Sequence, residues 1–348
     1  MKAAIFYGVG DVRWEELDSP TPGAGEVVVK PAFNGVCGSD LHLMDDPEHS
    51  GFPLEYDEQG VMKPMRLGHE YAGTIVEIGD GVDSVVVGDR VAVFPNGYCG
   101  RCDNCVRGLT AICMNPRPYV GGIGGAVLVE ARHVYKLPDS VDLVHGALVE
   151  PMATGWQAVR LAQVTAESTA LIIGAGPIGL GVYLALTAQG VENVLISETN
   201  ETRRGIAEGL GAKTIDPTSA SLPDAVAELS EGRGLNAVFD AAGNGPAFLS
   251  ALELLAFKGR AVVVAIHMKP LELNPWALQP MQRSVIGSLA YAPEDFAEVI
   301  AAMADGKYPT EGFVTIRPAE DLLDVIADLK AGRGTKILLD VNEAPESN

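Results

Sequence analysis

The five cysteines of the 348-residue chain divide into a group of four and one alone. Cys99, Cys102, Cys105 and Cys113 lie in a loop that also holds Gly97, Gly100 and Gly108, with the spacing Cys-x2-Cys-x2-Cys-x7-Cys. Four thiolates so spaced can close a tetrahedral zinc shell with no open position, whose task is to fold an otherwise coreless loop. Four cysteines could also hold an iron–sulfur cluster, although nothing else in the sequence speaks of electron transfer. A disulfide framework does not fit, because such frameworks belong to short secreted domains.

The fifth cysteine sits in Gly35-Val36-Cys37-Gly38-Ser39-Asp40-Leu41-His42, and a second polar knot follows at Gly68-His69-Glu70. A lone cysteine or histidine is ordinarily a core residue. Thiolate, imidazole and carboxylate in glycine-bounded loops of one domain are also a zinc donor set, and three protein ligands leave a place for water or substrate. Asp40 reads as a helix-capping or loop-bracing carboxylate.

A third motif is Gly174-Ala175-Gly176-Pro177-Ile178-Gly179, which follows an apolar strand and opens a helix. Its glycines suit a sharp turn, the approach of backbone N–H groups to a pyrophosphate, and close seating of helix on strand. A second strand ends in Glu198, 24 residues after Gly174, where a carboxylate can bind the ribose hydroxyls of NAD and repel the 2′-phosphate of NADP. Arg203 and Arg204 could line the adenosine side of NAD or accommodate that phosphate.

These residues need two domains to hold them. Short alternating runs such as Glu26 to Lys30 and Arg90 to Phe94 make the first part a β domain with long loops. From about Thr154 to Leu289 apolar strands (Ala170 to Ile173, Val194 to Ser197, Asn236 to Asp240, Arg260 to Ile266) alternate with helical stretches, which predicts a parallel sheet covered on both faces. Two amphipathic helices, near Pro293 to Asp305 and Ala319 to Ala331, and a strand Lys336 to Val341 follow, with a frayed tail over 342–348. Ala170 to Val191 is uncharged, but its glycines and Pro177 break it into strand, turn and helix rather than a membrane span. Asp11 and Arg13 interrupt the apolar N-terminus too soon for a signal peptide, so a cytoplasmic location is expected. With 25 Lys and Arg against 46 Asp and Glu, the net charge of -21 disfavours nucleic acid and anionic membranes as partners.

The stretch Gly68-His69-Glu70-x2-Gly73-x5-Gly79-x2-Val82 matches the signature of the zinc-containing alcohol dehydrogenases, in the medium-chain dehydrogenase/reductase family. The Cys37 motif, the four-cysteine lobe and the nucleotide fingerprint stand in that family's order, so the resemblance covers essentially the whole chain. It implies an α/β protein with a GroES-like β-barrel catalytic domain, residues 1–153 and 290–348, and a Rossmann doubly wound NAD-binding domain, residues 154–289. It also implies an active site between them, assembly as a dimer or tetramer, and two zinc ions per chain. Cys37 and His69 would be ligands of the catalytic zinc. Glu150, in Val149-Glu150-Pro151, occupies a place where many family members supply cysteine and where polyol and butanediol dehydrogenases supply glutamate. Together with the Leu43 to Leu67 insertion and Gly287 to Tyr291, this resembles the sorbitol/2,3-butanediol dehydrogenase branch. Either Glu70 or Glu150 would complete the zinc shell, with the other on the bound water.

By the same resemblance the substrate is a secondary alcohol or vicinal diol. Polyol, threonine and simple alcohol dehydrogenases share the site, and the rival class is a zinc-stabilised NAD-binding protein without alcohol chemistry. Ser39 would accept a hydrogen bond from the alcohol and pass its proton, through the cofactor ribose, to His42. Phe52, Tyr56 and Phe94 are expected to wall the pocket. His49 reads as solvated or on a lid, His133 and His145 as structural, and His267, ending a strand of the sheet, as a candidate for a place near the nicotinamide; the Trp156 and Trp276 rings read as packing.

Overall fold

The computed structural model describes residues 2–50, 52 and 54–342, so most of the expected frayed tail lies outside the described residues. The chain forms two compact units, one from residues up to Glu150 together with those from Val314 on, the other from Pro151 to Phe313.

In the first unit the long strand Glu26–Gly35 pairs antiparallel with Glu70–Ile78, Val127–Glu130 and Lys336–Asp340. Strands Arg90–Val93 and Val134–Lys136 extend the sheet beyond Glu70–Ile78. Val27 and Val29, two residues apart and so on one face, are fully buried against Ile75, Val91, Val93 and Val129. A second core gathers Phe6, Leu43, Leu67, Val325 and Leu339. Helix Leu322–Lys330 connects the parallel strands Val314–Pro318 and Lys336–Asp340, the crossover that a parallel pair requires. The chain therefore returns at its end to lay Lys336–Asp340 beside Phe33–Gly35.

The second unit carries a six-stranded parallel sheet. Its spatial order is Lys213–Ile215, Asn193–Ser197, Thr169–Ile173, Leu235–Asp240, Leu255–Val263 and Ser284–Gly287. In order of appearance this is 3-2-1-4-5-6, the Rossmann order, whose switch point lies between Thr169–Ile173 and Leu235–Asp240. The uncharged segment resolves into strand Thr169–Ile173 and helix Pro177–Ala188. No helix among the described residues is long and apolar enough to cross a membrane.

The expected return to the first domain at 290 moves to 314. Helix Pro293–Ala304 belongs to the second unit, where the buried Asp295 lies 2.6 Å from the Arg160 guanidinium and Trp156 Nε1 donates to Glu298 at 2.6 Å. Phe296 and Val299 on that helix are fully buried, so moving it would expose both side chains and the Asp295 charge pair. The first boundary falls at 150/151, inside helix Leu143–Ala162.

Candidate functional site

Cys37 precedes helix Gly38–Asp45, and its own N–H donates to Asp40 Oδ2 at 2.9 Å. Asp40 thus braces the helix start, as its sequence position suggested. Its other oxygen stands 3.7 Å from His69 Nδ1, a nitrogen buried without a hydrogen-bond partner. Ser39 Oγ lies 3.5 Å from His69 Nε2. His42 is one turn further along the same helix and partly buried. Burial opposes charge on the His69 imidazole, but Asp40, and then the Cys37 thiol, hold its pKa well above the usual histidine value. Burial in turn raises Asp40 above the ordinary carboxylate range, against the pull of His69 and the Cys37 N–H.

Cys37, His69 and Glu70 each offer a donor atom, and the three atoms lie within 4.8 Å of one another. Glu150 stands outside that group on helix Leu143–Ala162, though its charge reaches His69 and Lys336. Sequence reasoning missed Lys336, whose ammonium pairs directly with Glu70 Oε2 while both side chains are 1% exposed. The available signal was a lysine opening a strand whose next three residues are Ile-Leu-Leu. Burial works against its charge, but Glu70 and then Cys37 hold the ammonium above its ordinary value.

Of the expected pocket walls, Phe52 meets the His69 ring edge-on at 5.4 Å. Tyr56 instead is exposed and donates to Glu48, and Phe94 is buried beside the rings of Tyr98, His133 and Tyr135.

The four-cysteine loop is already gathered. Cys102 Sγ is 3.5 Å from Cys105 Sγ and 3.9 Å from Cys113 Sγ, and Cys99 Sγ is 4.0 Å from Cys105 Sγ. A tetrahedron with zinc–sulfur bonds of about 2.3 Å has edges of about 3.8 Å, so the donor set fits zinc. Four backbone N–H groups, of Cys99, Cys102, Met114 and Asn115, point at these sulfurs at 3.2–3.4 Å. Hydrogen bonds from the Arg101 and Cys102 N–H groups draw the Cys99 thiol down to about 6, favouring the thiolate that a metal needs. The peptide of Tyr98, just before Cys99, is clamped from both ends: its N–H donates to His133 Nε2 at 3.1 Å and its carbonyl accepts from Arg132 at 2.6 Å.

In the second unit Gly174 adopts φ +96°, and a Cβ on Gly179 would meet the Gly174 carbonyl oxygen at 2.0 Å, so the helix seats on the strand only with glycine there. A cavity of about 250 Å³ beside this turn is lined by Gly174, Gly176, Glu198 and Arg203 among others. Pro177 is the first residue of helix Pro177–Ala188, with Ile178 next; neither lines the cavity. Glu198 is buried with both oxygens in use, accepting from the Ala175 N–H at 2.9 Å and the Asn200 N–H at 2.8 Å. Arg204 is tied down on the carbonyls of Glu198 and Thr199, whereas Arg203 Nε is buried without a partner at the cavity.

The remaining candidates lie elsewhere. His49 is exposed and pairs with Asp46, and His145 pairs with Asp142. His133 is 1% exposed among aromatic rings. His267 Nε2 pairs with the fully buried Asp240 at 2.6 Å, beyond a strand that stops at Val263. Trp276 is 68% exposed and packs little.

Two family models match the chain: an alcohol dehydrogenase GroES-like domain over residues 23–139 and a zinc-binding dehydrogenase domain over residues 177–305. A probable diacetyl reductase, (R)-acetoin forming, of Saccharomyces cerevisiae is 35% identical over 341 residues, 88% of this chain and 80% of the yeast protein. The crystal structure of 2R,3R-butanediol dehydrogenase from Bacillus subtilis superposes with a TM-score of 0.87 at 31% identity, covering 97% of this chain and 99% of that one. A protein described as a short chain alcohol dehydrogenase, from E. coli CFT073 and complexed with the cofactor NADH, gives a TM-score of 0.86 at 27% identity, covering 98% of this chain and 99% of that one. The α/β class with GroES-like and Rossmann domains is borne out by these matches. The chain belongs to the zinc-binding alcohol dehydrogenases of the medium-chain dehydrogenase/reductase family.

Proposed function

We propose that the protein transfers a hydride between NAD and a secondary alcohol or vicinal diol at a zinc site built on Cys37, His69 and a carboxylate. The observation that carries this reading is the gathering of thiol, imidazole and carboxylate donors within 4.8 Å, with Ser39 beside His69. The donor chemistry fits zinc, and the partnerless Arg203 Nε beside Glu198 fits a dinucleotide. When bound, zinc supplies a Lewis acid for the alcohol oxygen and NAD a hydride acceptor.

The chain's own residues do the rest. Asp40 fixes the Cys37 turn and faces His69, so both donors are oriented before metal arrives. Ser39 Oγ accepts the substrate proton, and His42 on the same helix carries it onward. Phe52 covers one edge of His69 and keeps that side of the pocket apolar. Glu198 holds the glycine turn through the Ala175 N–H and disfavours a 2′-phosphate. The four-cysteine loop would take a second, structural zinc. The diol preference is drawn from the diacetyl reductase and butanediol dehydrogenase relatives, and family resemblance is the ground for a dimer or tetramer.

Oxidation rates with NAD over a panel of vicinal diols, polyols and secondary alcohols test the reading. The highest kcat/KM is expected for a vicinal diol. Absence of turnover on every member, with one zinc per chain, would overturn it.

A further inference from the structure

Asp240 ends the strand Leu235–Asp240 at the switch point of the parallel sheet and is fully buried. All three of its oxygens are in use. The carbonyl accepts the N–H groups of Val264 and Ala265 at 3.0 and 2.9 Å, and Oδ1 accepts those of Ala242 and Gly243 at 3.1 and 3.0 Å. Oδ2 meets His267 Nε2 at 2.6 Å. One residue thus ties two loops together, 241–244 and 264–267, at the carboxyl end of the sheet, where open α/β sheets receive their ligands.

The first loop belongs to the dinucleotide cavity. Ala241, Ala242 and Asn244 line it, and the Ala241 N–H donates to the carbonyl of Ile173, one residue before Gly174. A Cβ on Gly174 would meet the Ala242 Cβ at 3.1 Å, so this loop lies directly against the glycine turn. The second loop gains little from packing, since Ile266 and Met268 on either side of His267 are 54% and 57% exposed. The two loops touch where a Cβ on Gly243 would meet the Ile266 carbonyl oxygen at 2.8 Å, and His267 adds a bond to a carboxylate that water does not reach.

We propose that the Asp240–His267 pair is a latch that positions the cofactor: Nε2–H of His267 donates to Asp240 and holds loop 264–267 against loop 241–244, which sets the wall of the dinucleotide cavity against the glycine turn. His267 is a positioning residue, acting through Asp240 and the N–H groups that Asp240 holds. This deepens the reading that the chain takes NAD at the glycine turn, and rests on it.

Reach decides which substitutes can serve. A glutamine amide extends as far as histidine Nε2, whereas an asparagine amide stops at the level of Nδ1. In the full-length, zinc-loaded enzyme, His267→Asn is expected to raise KM for NAD on the order of tenfold, while kcat at saturating NAD and KM for the alcohol change less than about threefold. His267→Gln should bring KM for NAD back to within about twofold of wild type. A role in stability alone would lower Tm without this split or this rescue. A wild-type KM for NAD in His267→Asn, or equal impairment of the two variants, would overturn the proposal. Should His267→Asn not fold, hydrogen exchange on the wild-type enzyme serves instead: saturation with NAD should slow exchange at Val264 and Ala265 in step with Ala242 and Gly243, and a response confined to 241–244 would overturn the latch. Titration of NAD into wild type tells the two readings apart. A wild type that does not bind NAD removes both, and a wild type that binds it no better than His267→Asn removes the latch alone.

Discussion

Asp40 joins the two donors that the sequence separates by 31 residues, accepting the Cys37 N–H on one oxygen and facing His69 Nδ1 at 3.7 Å with the other. A carboxylate behind a metal-binding imidazole sets its tautomer and orientation. Asp40→Asn keeps the shape but removes the charge that favours Nδ1–H on His69. Catalytic zinc affinity should fall on the order of tenfold to a hundredfold, measured by chelator competition, with the four-cysteine zinc unaffected. Unchanged affinity would contradict this role.

Glu198 has its two oxygens on the N–H groups of Ala175 and Asn200, so it shapes the dinucleotide turn as well as facing the cavity. Glu198→Ala should raise KM for NAD by roughly tenfold and narrow the preference over NADP, since one charge-assisted contact is worth about 1.5–3 kcal/mol. Zinc content should stay at two. A wild-type preference for NADP would refute the assignment.

The cysteine loop has few buried apolar side chains: Val106, Ile112 and Met114 are exposed at 75%, 50% and 66%. Its order must come from the metal. Cys102→Ser is expected to lose one zinc per chain and to make the loop the first site of proteolysis, with cleavage between Cys99 and Cys113. A variant that resists protease like wild type would show the loop to be self-supporting.

His133 is buried, and burial first, then the nearby Arg132, pushes its pKa down to about 4 from 6.5. Because the folded value lies below the unfolded one, the unfolded chain binds the extra proton between those values. The contribution of His133 is therefore present above about pH 6.5 and lost as pH falls towards 4. His133→Gln should show a shallower fall in Tm over that window than wild type. Parallel curves would refute it.

Much of the site was legible because its chemistry is local in sequence. Cys37 to His42, Gly68 to Glu70 and Cys99 to Cys113 each sit in short runs whose residue types announce a metal, and Gly174 to Gly179 announces a turn beneath a helix. Lys336 was not legible, because its partner Glu70 is 266 residues away and the two meet only when the last strand returns beside Phe33–Gly35. Helix Leu143–Ala162 was also hidden, since Pro151 within it and Gly146 and Gly155 on either side read as breakers. A Cβ on Gly155 would meet the Gly181 carbonyl carbon at 2.5 Å, so at least that glycine serves close helix packing rather than a turn. The second compact unit reaches Phe313, and helix Pro293–Ala304 within it is fixed by Arg160, a partner that local patterning does not show.

The central claim is that Cys37 and His69, with a neighbouring carboxylate, hold a zinc distinct from that of the cysteine loop. The most direct test is metal analysis of wild type and Cys37→Ala alongside turnover of a vicinal diol with NAD. The account predicts two zincs per chain in wild type, and one in a folded, inactive Cys37→Ala protein that still binds NAD. A Cys37→Ala protein that retains both zincs, or that retains its turnover, would contradict it.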